Sequence, residues 1–145
     1  MTNSFTVKVE QTIKKSRTLN SEYREIDGQK SILFDFLLGD TKHKGALFIH
    51  QDDDLCLLQI FVRYSHPITN EKLPQVQTAL NGINSISIAG FLMTTEEKSS
   101  NYIHYKSNML LSRESVDSNF PEKDFLVFVN SNLDMINAFY DELFK

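Results

Sequence analysis

Four histidines, one cysteine and several carboxylate pairs are the side chains of this sequence from which chemistry would have to be built. His50 and Asp52 are two residues apart, so on a strand they share a face and make a potential metal pair. Such a pair lacks the additional ligands that a closed or catalytic site needs, and His43, His66 and His104 are scattered along the chain. Asp52-Asp53-Asp54 begins like a calcium loop, but Leu57 stands at the sixth position and Arg63 at the twelfth, where glycine and glutamate belong. A solvated hairpin turn is the expected role. Ser65-His66 and Ser112-Arg113-Glu114 bring neither a nucleophile elbow nor an oriented base. The glycines at 28, 39, 45, 82 and 90 are isolated, which leaves no phosphate-cradling loop and no dinucleotide turn. Glu96-Glu97 falls in an expected loop and Asp141-Glu142 on a terminal helix face. Cys56, within Leu55-Cys56-Leu57-Leu58, reads as a buried thiol acting as a small hydrophobe. No catalytic residue, metal ligand set or cofactor site is expected, and a small enzyme with an unrecognised site is the minor alternative.

Tyr102 and Tyr105, with Lys106, are residue types on which RNA bases stack. Three positions apart, the two rings face opposite sides of a strand, and neighbouring basic residues are sparse. Core and edge packing is the expectation, with no nucleic-acid partner.

The elements that position these residues follow from the bulk numbers and the periodicity. A chain of 145 residues, 41% hydrophobic and with 11 phenylalanines, fits one domain spanning 1–145 with a core of its own. The net charge of −4 does not suit a polyphosphate binder. Charge is uneven: residues 1–30 carry six bases and four acids, residues 114–145 seven acids and two bases. Solvated helix faces explain most of that, and a charge-steered contact with a basic partner is the alternative. Met1 to Lys15 has no apolar run of signal-peptide length, and no stretch reaches the roughly 20 apolar residues that span a bilayer. A cytoplasmic setting without membrane contact is expected.

Phe5, Val9 and Ile13 recur every four residues and suit a short helix, although Phe5, Val7 and Val9 also alternate as a strand would, so residues 1–22 stay open between the two. From Tyr23 to Arg63 the period is two. Ile32 to Leu38, Ala46 to Gln51 and Leu55 to Val62 read as three hairpin-linked strands, the last apolar on both faces and so expected in mid-sheet, covered on both sides. After Pro67, Thr69 or Asn70 can cap a helix whose face is Leu73, Val76, Leu80 and Ile83, with Pro74 near its first turn. Ile86 to Thr94 and Tyr102 to Leu111 read as two more strands. Gly90 inside the first signals a bulge or a close backbone approach. Arg113 to Asn119 reads as a loop, and a final helix follows Pro121. The order is α-β-β-β-α-β-β-α: an α+β domain with a five-stranded antiparallel sheet and three helices.

This order, with Leu80-Asn81-Gly82-Ile83-Asn84, Gly90-Phe91 and the aromatic strand Tyr102 to Lys106, resembles the YbjN-like family of bacterial sensory-transduction regulators. That family's fold is similar to the type III secretion chaperones. The likeness covers about Ile32 to Leu143 and implies a non-enzymatic regulatory or chaperone-like protein, often a homodimer, with no catalytic residues to carry over. The apolar surface and the missing chemistry point the same way, to a protein or peptide client held by a sheet-and-helix platform. A dedicated chaperone or neutralising partner of a secreted effector is the narrower form. The candidate contact residues are Tyr102, Tyr105, Phe125, Phe128, Phe139 and Tyr140, and the core is expected to claim at least half of them.

Overall fold

In a computed structural model of the chain, which describes residues 4–87 and 89–144, six strands and four helices follow in the order α1 (Ser4–Ile13), β1 (Leu19–Ile26), β2 (Gln29–Leu38), β3 (Thr41–Gln51), β4 (Leu55–Arg63), α2 (Leu73–Ile86), β5 (Phe91–Glu97), β6 (Ser100–Ser112), α3 (Arg113–Ser118) and α4 (Glu122–Phe144). The strands form one open antiparallel sheet in the order β1-β2-β3-β4-β6-β5. The α+β class is as expected. The strand count is six rather than five, and the helix count four rather than three.

The additional strand is β1. It is an edge strand, exposed along most of its length, and lacks the alternation that marks a half-buried strand. Tyr23 alone of its side chains packs against the core. Its hairpin to β2 turns on Asp27-Gly28, both at positive φ (51° and 79°), the conformation that a two-residue hairpin loop needs and glycine supplies without strain. The additional helix, α3, lies where a loop was expected. Ser112 caps it, its Oγ accepting from the Ser115 amide at 3.2 Å. Of residues 1–22, left open between helix and strand, Ser4–Ile13 are helical and those from Leu19 belong to β1, while residues 1–3 lie outside the described residues. For α2 the N-cap is Lys72 rather than Thr69 or Asn70. Asn70 instead accepts from the Asn101 amide at 2.7 Å.

Ile86 ends α2 and does not begin a strand. β5 starts only at Phe91, after Gly90. Ile88, inside the strand expected there, lies outside the described residues. The helix end is fastened to β5 by Asn84. Its side-chain amide donates to the Leu92 carbonyl and its Oδ1 accepts from the Leu92 amide, both at 2.8 Å. One side chain thus occupies edge groups that a further strand would otherwise use.

All four helices lie on one face of the sheet. There Ile32, Phe34, Phe36, Leu47, Leu58, Ile60 and Tyr105 are buried beneath Phe5, Val9 and Ile13 of α1 and Phe125, Val129 and Ile136 of α4. Two tyrosines fix α4 in place: Tyr64 donates its hydroxyl to the Ile136 carbonyl at 2.7 Å, and Tyr105 donates to Asn132 Oδ1. Among the described residues, no helix is long and apolar enough to cross a membrane.

Candidate functional site

The other face of the sheet has no helix over it. β4 is central, between β3 and β6 as expected, but it is not covered on both sides. Cys56, Leu58, Ile60 and Val62 are buried on the helix side, whereas Leu55, Leu57, Gln59 and Phe61 on the reverse are only half-buried. The chain spends apolar residues on both faces of this strand and covers one of them. That mismatch singles out the open face as the candidate site.

Register places its side chains in rows. Leu33, Ala46, Phe61, Lys106 and Phe91 stand opposite one another across five strands. Beside them run Ser31, Phe48, Gln59 and Asn108, then His50, Leu57 and Leu110. Leu110 and Phe91 are 63% and 42% exposed, against 0% for Tyr105 and 3% for Leu92 on the helix side of the same strands. Phe61 is the centre of an aromatic cluster. Its ring lies 6.1 Å from Phe48 and 4.8 Å, edge-on, from His104, with Lys106 Nζ 5.6 Å above it. Arg63 lies 4.6 Å over Tyr102 and pairs with Glu97. These cation–ring contacts hold the long basic side chains down along the sheet.

His104 and Asp35 are the buried titratable groups of this face among the described residues. His104 shares a hydrogen bond with Thr95 Oγ1 (3.0 Å from Nε2) and lies 3.9 Å from Glu97 Oε1. Burial holds its pKa below the ordinary 6.5, with Arg63 and Lys106 adding to the effect and Glu97 opposing it. The unfolded chain therefore takes up this proton at higher pH than the folded one, and stability drops as pH falls through the histidine range. His43, also held low by burial and by His66, contributes in the same direction. Thermal unfolding between about pH 8 and about pH 5 is expected to show Tm falling on the acid side, with a shallower fall in His104→Gln. An unchanged slope in that variant would remove His104 from the account.

The expected contact residues divide. Tyr102 is half-buried on the open face. Tyr105, three residues on, points to the covered face as the spacing required and is fully buried against Phe139, and Phe125 is buried in the core against Phe120. These three are withdrawn as contact residues, because the sheet and α4 already occupy their surfaces. Phe128 and Tyr140 are half-buried at the margin of the helix layer, Tyr140 stacking on Tyr64 at 6.2 Å. Phe48, Phe61, Phe91 and Leu110 escaped the sequence reading, although Leu55 to Val62, apolar on both faces, carried the signal.

The other candidates for chemistry are placed apart. His50 is exposed on β3, and His66 stacks on Phe144 at 4.8 Å. Asp52 Oδ1 accepts from the amides of Asp54 and Leu55 at 3.0 and 2.9 Å, the polar turn expected of the aspartate run. Cys56 is buried and its thiol pKa is raised by burial. No group of three or more His, Cys, Asp or Glu side chains suited to a metal ion occurs among the described residues. Of the acids on α4, Glu122 pairs with Lys15 at 2.6 Å and Asp134 with Arg17 at 2.8 Å, so part of the charge asymmetry along the chain is satisfied within it.

No family model matches the chain, and no curated protein or solved structure is detectably similar to it.

Proposed function

We propose that the protein is a non-catalytic protein-binding module, regulatory or chaperone-like, that holds its client on the open face of the sheet. One observation carries this: a central strand with apolar side chains on both faces, covered on one. Layered domains bury the apolar faces of their sheets, and an uncovered face with Leu57, Phe61, Phe91 and Leu110 is chemically suited to a second protein. The likeness to the YbjN-like regulators and the secretion chaperones supports the same reading. Its signature residues have connected roles in this fold. Asn84 ties α2 to β5, Gly90 packs against the Tyr105 ring, and Tyr105 anchors α4.

The dimer that this likeness implies has a separate place available. Between α2 and α4 lies a mostly apolar depression lined by Ala79, Gly82, Ile83, Ile86 and Leu143, with Glu142 beside them. Ile86, 82% exposed, is the least covered large hydrophobic side chain described. A client on the sheet and a second copy at Ile86 are separable by mutation. Leu110→Glu is expected to weaken client capture about tenfold or more while leaving sedimentation unchanged, and Ile86→Glu to convert dimer to monomer with the client retained. Client capture indifferent to Leu110→Glu would remove the open face from the function.

A further inference from the structure

We propose that the open face takes an amphipathic helix of a partner protein, seated so that a carboxylate within the helix's apolar stripe meets Lys106. This rests on the protein-binding reading and specifies its partner.

Charge complementarity argues for the carboxylate. The outward residues of the six strands include five cations, Arg24, Lys42, Lys44, Arg63 and Lys106, against three acids, Glu22, Asp35 and Glu97, in a chain whose net charge is −4. Each acid already has a partner: Glu97 holds Arg63, Asp35 holds Lys44 at 3.4 Å, and Glu22 holds Arg24 at 3.4 Å. Among the described residues no carboxylate pairs with Lys106, which lies between Phe61 and Phe91 in the middle of the apolar band. A partner that buries this band must supply an anion at that point or strand a charge.

The covered face shows the form such a cover takes. There α4 crosses the sheet with Asn132 set among Val129, Leu133 and Ile136, and Asn132 accepts from the Tyr105 hydroxyl. Tyr105 and Lys106 are consecutive on β6 and point to opposite faces. One helix with a single acceptor in its stripe satisfies the first, and a second helix of the same pattern satisfies the second. Strand rows about 4.8 Å apart accommodate the roughly 5–6 Å spacing of i, i+3 and i, i+4 side chains on a helix. Strand addition is the less favoured mode. Asn84 takes both edge groups of Leu92 at the start of β5, and the β1 edge carries Glu22, Arg24, Glu25 and a register shift.

The test uses three short synthetic helical peptides. Each has leucine and phenylalanine at i, i+3, i+4 and i+7, and they differ only in a central stripe residue, Glu, Gln or Lys. Titrated onto the wild-type chain, the Glu peptide is expected to bind about tenfold tighter than the Gln peptide and the Lys peptide weakest. Lys106→Glu should reverse the order. Lys106→Gln, a milder change should the reversal disturb folding, should abolish the preference. Equal binding of the three peptides, or none, overturns the acid-bearing helix, while client capture sensitive to Leu110→Glu would leave the protein-binding reading standing. Binding of an oligouridylate in place of every peptide overturns both. Self-association of the chain that Lys106→Glu abolishes assigns the face to a second copy and likewise overturns the proposal.

Discussion

Phe125→Ala is expected to destabilise the fold by about 3–5 kcal/mol, measured as a lowered urea midpoint with an unchanged slope. Phe125 is fully buried in the first turns of α4, its ring 5.9 Å from Phe120, which in turn lies 6.0 Å from Phe5 of α1. Truncation leaves a void where α1, α3 and α4 converge, and three elements anchored at one point cannot all shift to fill it. Because the side chain is remote from the open face, client affinity of the folded fraction should stay as it was. A substitution costing under about 1 kcal/mol would mean that this corner of the core is loosely packed.

Gly90→Ala is the second large effect. A Cβ built on Gly90 would overlap the ring and hydroxyl of Tyr105, which has no room to withdraw. Tyr105 is fully buried, its hydroxyl donates to Asn132, and the Asn132 amide donates to the Phe128 carbonyl at 2.6 Å. Relief requires moving either the segment ahead of β5 or α4 itself, at a cost of about 1–3 kcal/mol. Gly82→Ala provides the contrast. It lies on α2 with nothing within 4 Å of its Cβ position, and is expected to gain about 0.5–1 kcal/mol from helix propensity. The two substitutions should move Tm in opposite directions, and movement in the same direction would refute the steric account.

Gly90 also shows how far the chain could be read before its structure. Of the two readings of Gly90, a bulge or a close backbone approach, the second fits its contact with the Tyr105 ring, while the placement inside a strand does not hold, since β5 begins one residue later. Ile32 to Leu38, with its period of two, and Leu55 to Val62, apolar on both faces, lie in strands as expected. β1 was missed because its contribution to the core is one tyrosine, although Asp27-Gly28 is the shortest-range hairpin signal available. α3 was missed because six residues hold too little periodicity to register. Ser112 as a cap was the remaining clue.

The site was legible in its composition and illegible in its location. Periodicity shows that a strand has two apolar faces, but which face other elements cover depends on contacts far along the chain. The same limit applies to Phe125 and Phe139, whose types suit a surface groove as well as a core. It applies also to charge. Arg17 and Asp134 are 117 positions apart, and that separation hides a pairing that makes part of the terminal asymmetry internal.

The placement of α4 has a consequence for biogenesis. Its residues come after every strand in the order of translation, so a ribosome-bound chain that has completed β6 has only α1 and α2 to cover the helix side of its six-stranded sheet. Until residues 122–144 emerge from the exit tunnel, the part of that side which α4 covers, Tyr105 with its Asn132 and Phe139 contacts, is accessible to chaperones and proteases. A nonsense codon ahead of Glu122 would therefore leave an aggregation-prone fragment rather than a shortened but working protein.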